Sequence, residues 1–165
     1  MEIRKVVVGS LETNCYLLFK DDECLIIDPG DEFTKIKENI GNKKVTGCLV
    51  THFHQDHIEA LEEVLSFYNV EINKTNSDKF KYDIIETPGH TFDSRTFYFK
   101  EDNVMFCGDF IFKNGIGRTD LGGNDKDMKN SLNKMLEYDD NIILYPGHGP
   151  STTLGAEKEN FRRYY

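Results

Sequence analysis

The chain has 165 residues, of which 38% are hydrophobic and 30% are charged, and its net charge is −9. This size and composition predict one soluble globular domain with a core of its own. The negative charge argues against nucleic acid and against an anionic membrane surface as partners, because both are bound through clustered lysines and arginines.

The cysteines and the N-terminus favour a cytoplasmic protein. Cys15, Cys24, Cys48 and Cys107 each lie in or beside an apolar run, and no two of them have the CxxC spacing of a metal site. We therefore expect four buried, reduced thiols. The first ten residues lack the apolar stretch of a signal peptide, and no segment has the roughly 20 apolar residues of a membrane span.

The first half of the chain predicts short strands followed by helices. Strands are expected over about Ile3–Val8, Cys15–Phe19 and Cys24–Ile27, the last ending in the turn "DPGD". A helix is expected where Phe33, Ile36 and Ile40 recur at helical spacing before Gly41. A strand, "VTGCLVTH", comes next, and then a single helical stripe of Ile58, Leu61, Leu65 and Tyr68.

The second half repeats this alternation. "YDIIETPGH" is a predicted strand that enters a loop, and "TFYFK" and "NVMFCGD" form a predicted hairpin across "EDN". A helix with Met128, Leu132, Met135 and Leu136, the strand in "NIILYPGHG" and a short helix over Gly155–Phe161 complete the chain. The order of strands and helices predicts two sheets with helices on their outer faces.

All five histidines of the chain lie in loops that directly follow predicted strands. Three are in "THFHQDH", one is in "TPGH" and one is in "PGHG". Loops at the ends of strands are where rigid scaffolds present reactive groups. A lone histidine in such a loop is more often an ordinary polar residue, but four ligand-type residues within "HFHQDH" have no role in packing a core. The pattern therefore predicts a metal site.

The spacing of these residues suggests two ions. His52 and His54 are two residues apart, so in an extended segment they point the same way and can bind one ion together. Asp56 and His57 follow at the predicted start of a helix, where they can face a second ion. Imidazole with carboxylate is a ligand set for zinc, iron or manganese. Asp109, in "CGDF", is placed to bridge such a pair.

The ordered motifs "IIDPG", "THFHQDH", "TPGH", "GD" and "PGHG" resemble those of the metallo-β-lactamase fold superfamily. The resemblance extends from "NCYLL" to "PGHGPST", nearly the whole chain, and is strongest to small single-domain relatives of glyoxalase II, the hydroxyacylglutathione hydrolases. It implies an α/β fold, the four-layer αββα sandwich, in a single domain over residues 1–165. The C-terminal helical glutathione-binding domain of full-length glyoxalase II is not expected.

The resemblance also implies which residues hold two divalent ions, with zinc expected first and iron or manganese as alternatives. His52, His54 and His90 would hold one ion, Asp56, His57 and His148 the other, and Asp109 would bridge them. Asp28 would orient a ligand histidine. A metal-bound hydroxide would then hydrolyse an acyl bond, with Asp56 orienting it or accepting its proton.

The substrate is less closely defined by the sequence. The family implies a small-molecule thioester such as S-lactoylglutathione, and Arg118, in "IGRTDLGG", could bind a substrate carboxylate. The alternative for Arg118 is a structural pairing with Asp120. Alternatives for the whole protein are a persulfide dioxygenase with one iron on His52, His90 and Asp109, or a metallo-hydrolase of another ester, lactone or phosphodiester. The sequence leaves the oligomeric state open.

Overall fold

The structure is a computed structural model, and it describes residues 1–164 of the chain. The chain divides into two compact units, Met1–Lys81 and Tyr82–Tyr165, which we call the N-terminal half and the C-terminal half. Each half contains one five-stranded mixed sheet and its own hydrophobic core. The predicted alternation of strands and helices is confirmed in both halves.

The sheet of the N-terminal half has its five strands in sequence order. The strands are β1 (Glu2–Val8), β2 (Thr13–Lys20), β3 (Glu23–Ile27), β4 (Lys44–Leu49) and β5 (Lys74–Thr75). Neighbouring strands are antiparallel except β3 and β4, which run parallel. A parallel pair needs a crossover connection, and the helix α1 (Phe33–Ile40) supplies it.

Two more helices of this half, α2 (Gln55–Ile58) and α3 (Leu61–Tyr68), follow β4. The apolar faces of α1 and α3 contribute Ile36, Ile40 and Val64, which are at most 2% exposed. These side chains belong to one core with inward-facing residues of the sheet, such as Leu17 and Ile26. Burial of these apolar side chains is the main force that holds the helices against the sheet.

The single helix predicted across Ile58 and Leu61 is wrong, because the chain breaks between α2 and α3. The backbone N–H groups of Glu59 and Ala60 donate to the carbonyls of Gly30 and Pro29, each at 3.1 Å. These carbonyls lie in the "DPGD" turn after β3 and replace acceptors in the preceding helical turn. The turn therefore ends α2 and holds it close to the end of β3.

The sheet of the C-terminal half has the strand order β12-β11-β8-β7-β6. Its strands are β6 (Asp83–Glu86), β7 (Arg95–Phe99), β8 (Val104–Gly108), β11 (Ile143–Pro146) and β12 (Thr152–Thr153). Neighbours are antiparallel except β8 and β11, which run parallel. A separate two-stranded ribbon is formed by β9 (Ile111–Phe112) and β10 (Gly115–Ile116).

Two helices pack in the C-terminal half, α4 (Asp125–Met135) and α5 (Leu154–Phe161). Asn124 begins α4 by accepting a hydrogen bond from the N–H of Asp127 through its side chain, as N-cap residues do. Met128, Leu132 and Phe161 from the two helices belong to the core of this half. Both predicted helices are confirmed, and Leu136 lies just past the end of α4.

The four cysteines are buried thiols, as the sequence predicts. Burial raises the pKa of Cys15 well above the usual range, with further contributions from Cys48, Asp28 and Cys24, and burial raises the pKa of Cys24 to about 12. Within residues 1–164, none of the helices has the length and apolar character needed to cross a membrane.

Candidate metal centre

The predicted ligands of the N-terminal half emerge at one edge of its sheet. Since β3 and β4 are parallel, Asp28 after β3 and the segment from Thr51 after β4 leave the sheet on the same side. The N–H of Asp28 donates to the carbonyl of Leu49 at 3.0 Å, which joins the two segments where the strands end. The fold therefore brings a buried carboxylate to the start of the histidine motif.

Asp28 is the hydrogen-bonding hub of this edge and is 2% exposed. Its Oδ1 accepts from the backbone N–H of Thr51 at 2.7 Å, and its Oδ2 accepts from the hydroxyl of Thr51 at 2.7 Å. Oδ2 also lies 2.9 Å from Nδ1 of His57. A carboxylate only accepts, so Nδ1 of His57 carries the proton and the lone pair is on Nε2, where it is available to a metal ion.

The same hub reaches His52 through Thr51. Because the Thr51 hydroxyl gives its proton to Asp28, its oxygen is the acceptor for Nδ1 of His52, 3.1 Å away. The lone pair of His52 is therefore on Nε2 as well. The ring of His52 lies 4.8 Å from that of His54 and 4.2 Å from that of His57, between centroids. Three imidazoles are thus clustered, and two of them have their tautomers set by one carboxylate.

Asp56 and His57 lie in α2, as the sequence predicts for the start of a helix. Oδ2 of Asp56 is 3.5 Å from Nε2 of His57 and accepts a hydrogen bond from the hydroxyl of Thr13 at 2.8 Å. Gly30 permits this arrangement, because a Cβ added there would lie 2.0 Å from the carbonyl oxygen of Asp56. The N-terminal half therefore brings together Asp28, His52, His54, Asp56 and His57.

The C-terminal half brings its three predicted ligands together by the direction of its strands. β8 and β11 are parallel, and β6 runs the same way because β7 is antiparallel to both β6 and β8. His90, Asp109 and His148 follow β6, β8 and β11, so all three emerge at the same edge. This placement depends on the topology and not on closeness in sequence.

The three side chains converge on one carboxylate oxygen. Oδ2 of Asp109 lies 3.6 Å from Nε2 of His90 and 3.4 Å from Nε2 of His148. Nδ1 of His90 lies 2.7 Å from the backbone carbonyl oxygen of Arg118 and donates to it, which leaves the lone pair on Nε2. His90 and Asp109 are buried, while His148 is partly exposed.

The donor set and its spacing fit a divalent metal ion. Ligand bonds of about 2.0–2.1 Å at tetrahedral angles place neighbouring ligand atoms roughly 3.3–3.4 Å apart. The imidazole–carboxylate separations of 3.5 Å, 3.6 Å and 3.4 Å are close to this value and long for hydrogen bonds. Imidazole nitrogen with carboxylate oxygen is also the chemistry that zinc and iron accept.

Arg118 adopts the structural pairing that the sequence left as an alternative. Its Nε and Nη2 donate to the two carboxylate oxygens of Asp120, both at 2.6 Å. The hydrogen bond from Arg118 lowers the pKa of Asp120 to about 2. Gly117 is needed beside this pair, since a Cβ there would lie 1.8 Å from the carbonyl oxygen of Asp109 and 3.0 Å from Nδ1 of His90.

Three supporting residues were missed by sequence reasoning: Thr13, Thr51 and Gly117. Thr51 is the first residue of the motif "THFHQDH", so its role could be sought there. Gly117 lies next to Arg118, where a glycine flanked by a polar loop is an ordinary turn signal. Thr13 has no such signal, because it contacts Asp56 across 43 positions of sequence.

Comparisons with known proteins agree with the motifs. The sequence profile of the metallo-beta-lactamase superfamily matches residues 8–73 and 77–148. The chain is 31% identical to the probable metallo-hydrolase YqgX of Bacillus subtilis, over 96% of this chain and 95% of that protein. It is 30% identical to the hydroxyacylglutathione hydrolase GloC of Haemophilus influenzae, over 97% of this chain and 96% of that protein.

The fold is also shared with solved structures. TTHA1623, solved in a di-iron-bound form, superposes with a TM-score of 0.85 at 25% identity, covering 95% of this chain and 98% of that one. This agreement confirms the fold class that the motifs predict. The chain therefore belongs to the metallo-beta-lactamase superfamily and shares its fold with metallo-hydrolases.

Proposed function

We propose that this protein is a metal-dependent hydrolase that cleaves a thioester of a small molecule, with S-lactoylglutathione as the first candidate. The observation that carries the proposal is the set of imidazole–carboxylate separations between 3.4 Å and 3.6 Å. The network from Asp28 supports it, because that network leaves the lone pairs of His52 and His57 available. The name of the relative GloC supports the substrate.

The assignment of seven ligands to two divalent ions rests on the family resemblance. One ion would be held by His52, His54 and His90, the other by Asp56, His57 and His148, with Asp109 shared. Zinc is the first choice for these ligands. The di-iron form of TTHA1623 supports a pair of ions and keeps iron as an alternative.

The residues of the chain would orient the attacking water and the ligand histidines and would accept a proton from the water. When bound, the ions supply Lewis acidity, which polarises the substrate carbonyl and makes water acidic enough to react near neutral pH. Asp56 would hold the attacking water and accept its proton through its carboxylate. Asp28 acts through His57 and Thr51 by keeping the ligand nitrogens in one tautomer. Arg118 would meet a substrate carboxylate only by leaving Asp120.

The first experiment combines metal analysis with a substrate panel on the purified protein. We expect two divalent ions per chain and hydrolysis of S-lactoylglutathione, ahead of lactone, phosphodiester, β-lactam and persulfide substrates. One iron per chain, with oxygen consumed on glutathione persulfide, would instead identify a dioxygenase. A metal-loaded protein that hydrolyses only another substrate of the panel would overturn the thioester assignment. The protein would still be a metal-dependent hydrolase.

A matched pair of variants tests the site itself. His54→Ala removes a proposed ligand, so we expect loss of bound metal together with loss of hydrolysis. Gln55→Ala changes the neighbouring residue, whose side chain contacts Glu59, and should retain both metal and activity. Full hydrolysis by metal-free His54→Ala protein would refute the proposal.

A further inference from the structure

Thr13 is a buried residue that the family motifs leave without a role. It is the first residue of β2, pairs with Val8 across the β1–β2 hairpin, and is 1% exposed. Its hydroxyl donates to Oδ2 of Asp56 at 2.8 Å. A hydrogen bond to an ionised carboxylate is about twice as strong as one between neutral groups, so this contact is expected to matter for Asp56.

The orientation of Thr13 is set by the turn after β3. A Cβ added to Gly30 would lie 3.3 Å from Cγ2 of Thr13 and 2.0 Å from the carbonyl oxygen of Asp56. The methyl group of Thr13 and the backbone of α2 therefore lie against the same glycine. Because a β-branched side chain has few accessible χ1 rotamers, packing of the methyl group directs the hydroxyl toward Asp56.

The oxygen that Thr13 binds is the one that faces His57. Oδ2 of Asp56 accepts from Thr13 and also lies 3.5 Å from Nε2 of His57, the separation that fits two ligands of one ion. The terminal torsion of a carboxylate has only a weak intrinsic preference, so contacts with neighbouring groups decide its rotation. A cavity of about 210 Å³, lined in part by Thr13, Asp56 and Gln55, opens beside this carboxylate, so water could compete for it.

We propose that Thr13 is a positioning residue for the metal ion bound by Asp56 and His57. Its hydroxyl fixes the rotation of the Asp56 carboxylate, so that the oxygen facing His57 is presented to the ion. This inference rests on the proposed function, since it requires Asp56 to be a ligand. Thr13 acts through Asp56 and has no role in binding the substrate.

The test compares two substitutions at Thr13, which separate the effect of losing the hydroxyl from the effect of changing the shape of the side chain. Thr13→Val keeps the branched shape and removes the hydroxyl, while Thr13→Ser keeps the hydroxyl. Zinc affinity of the metal-depleted full chain is measured by competition with a chromophoric chelator. We expect Thr13→Val to weaken one of two zinc sites by about 10–100-fold, the range for residues that support a ligand, and Thr13→Ser to restore most of the affinity.

A control substitution addresses general effects on the sheet. Thr46 is also buried in the N-terminal half, and its hydroxyl donates to the carbonyl of Cys24 at 3.4 Å. Thr46→Val should leave both zinc affinities unchanged. Should Thr13→Val fail to fold, Thr13→Ala replaces it, because the smaller side chain cannot clash with Gly30.

The outcomes separate this inference from the proposed function. If the wild-type chain binds neither zinc nor iron, the proposed function fails. If the wild-type chain binds two ions and Thr13→Val binds both equally well, only the role of Thr13 is overturned. In a double-mutant cycle, Thr13→Val should add no further loss to Asp56→Ala. An additive loss would also overturn the inference, because it would show an effect that does not pass through Asp56.

Discussion

The two halves of the molecule position the same kinds of candidate ligand in different ways. The N-terminal half takes its four candidates from six consecutive residues after one strand, and a buried side chain, Asp28, sets the tautomers of His52 and His57. The C-terminal half takes one candidate from each of three strand ends, and a backbone carbonyl, that of Arg118, fixes the ring of His90. The first arrangement depends on side-chain chemistry and the second on backbone position.

This difference predicts where each half is vulnerable. One substitution can remove the Asp28 side chain. The candidate ligands His52 and His57 would then still be present but would lose their orientation. A backbone carbonyl survives most substitutions at its own residue and is lost only when the loop moves. Four substitutions test this contrast, and the most damaging of them is expected in the N-terminal half.

Removal of the hub should have the greatest effect. Asp28→Ala leaves the N–H of Thr51 and the Nδ1 proton of His57 without their acceptor in a buried site. We expect a loss of about 3–5 kcal/mol in the free energy of unfolding, with weaker metal binding. Urea denaturation and zinc titration measure the two effects. Asp22→Ala, at a carboxylate 82% exposed, is the control, and unchanged metal affinity in Asp28→Ala would contradict the role of the hub.

A buried carboxylate of the C-terminal half should affect stability alone. Glu157, in α5, is 1% exposed and accepts from the N–H of Asn114 at 2.9 Å, the hydroxyl of Thr152 at 2.7 Å and the side-chain amide of Asn160 at 3.1 Å. Glu157→Ala should cost about 3 kcal/mol, because three hydrogen bonds to this buried carboxylate are lost, each worth about 1 kcal/mol. Its zinc affinity, measured on folded protein, should equal that of the wild type. A fall in affinity like that of Asp28→Ala would erase the contrast between the halves.

Displacement of the loop should break the hydrogen bond between Nδ1 of His90 and the backbone carbonyl of Arg118. Gly117→Ala would place a methyl group against the carbonyl of Asp109, so the loop that carries Arg118 must shift. We expect a loss of about 2 kcal/mol and reduced metal content by elemental analysis. Gly115→Ala, in the same ribbon, is the matched control, since the nearest atom to its Cβ would be 3.8 Å away. Equal behaviour of the two variants would count against the proposed close approach.

The smallest effect is expected at the side chain of Arg118. Arg118→Ala keeps the carbonyl that accepts from His90, so metal content and the urea transition should not change. Its ion pair should be independent of pH in the working range, because Arg118 lowers the pKa of Asp120 from 3.8 to about 2. The ionised pair is fully formed above pH 3.8 and is lost only as the pH falls toward 2. A raised KM for S-lactoylglutathione in Arg118→Ala would instead identify it as a substrate contact.

The sequence predicted the ligand candidates because metal chemistry restricts residue types. Imidazoles and carboxylates that cluster directly after apolar strands seldom serve to pack a core, and the positions of the strands along the chain could be inferred from hydrophobic patterns. The break after α2 was not predictable in this way, because the helical stripe continues across Leu61. The acceptors that end α2 are carbonyls of Pro29 and Gly30, whose closeness is a property of the folded chain.

The contact between Thr13 and Asp56 was hidden for the same reason. A threonine at the start of a strand is common, and its hydroxyl acquires a role only when the hairpin turn meets α2. The partner of His90 was also missed, since every residue has a backbone carbonyl and the pattern of side chains carries no information about it. Patterns therefore predicted the candidate ligands and the role of Asp28, but not the contacts of Thr13, Thr51 and the carbonyl of Arg118.

The break between α2 and α3 has a consequence for how this protein can change over evolutionary time. The N–H groups of Glu59 and Ala60, at the break, are hydrogen-bonded to the turn after β3. The position of α2 therefore does not depend on the length or packing of α3. Substitutions on the exposed face of α3 are therefore expected to transmit little strain to His57. A lineage can therefore vary this part of the surface while the backbone of α2, which carries His57, keeps its position.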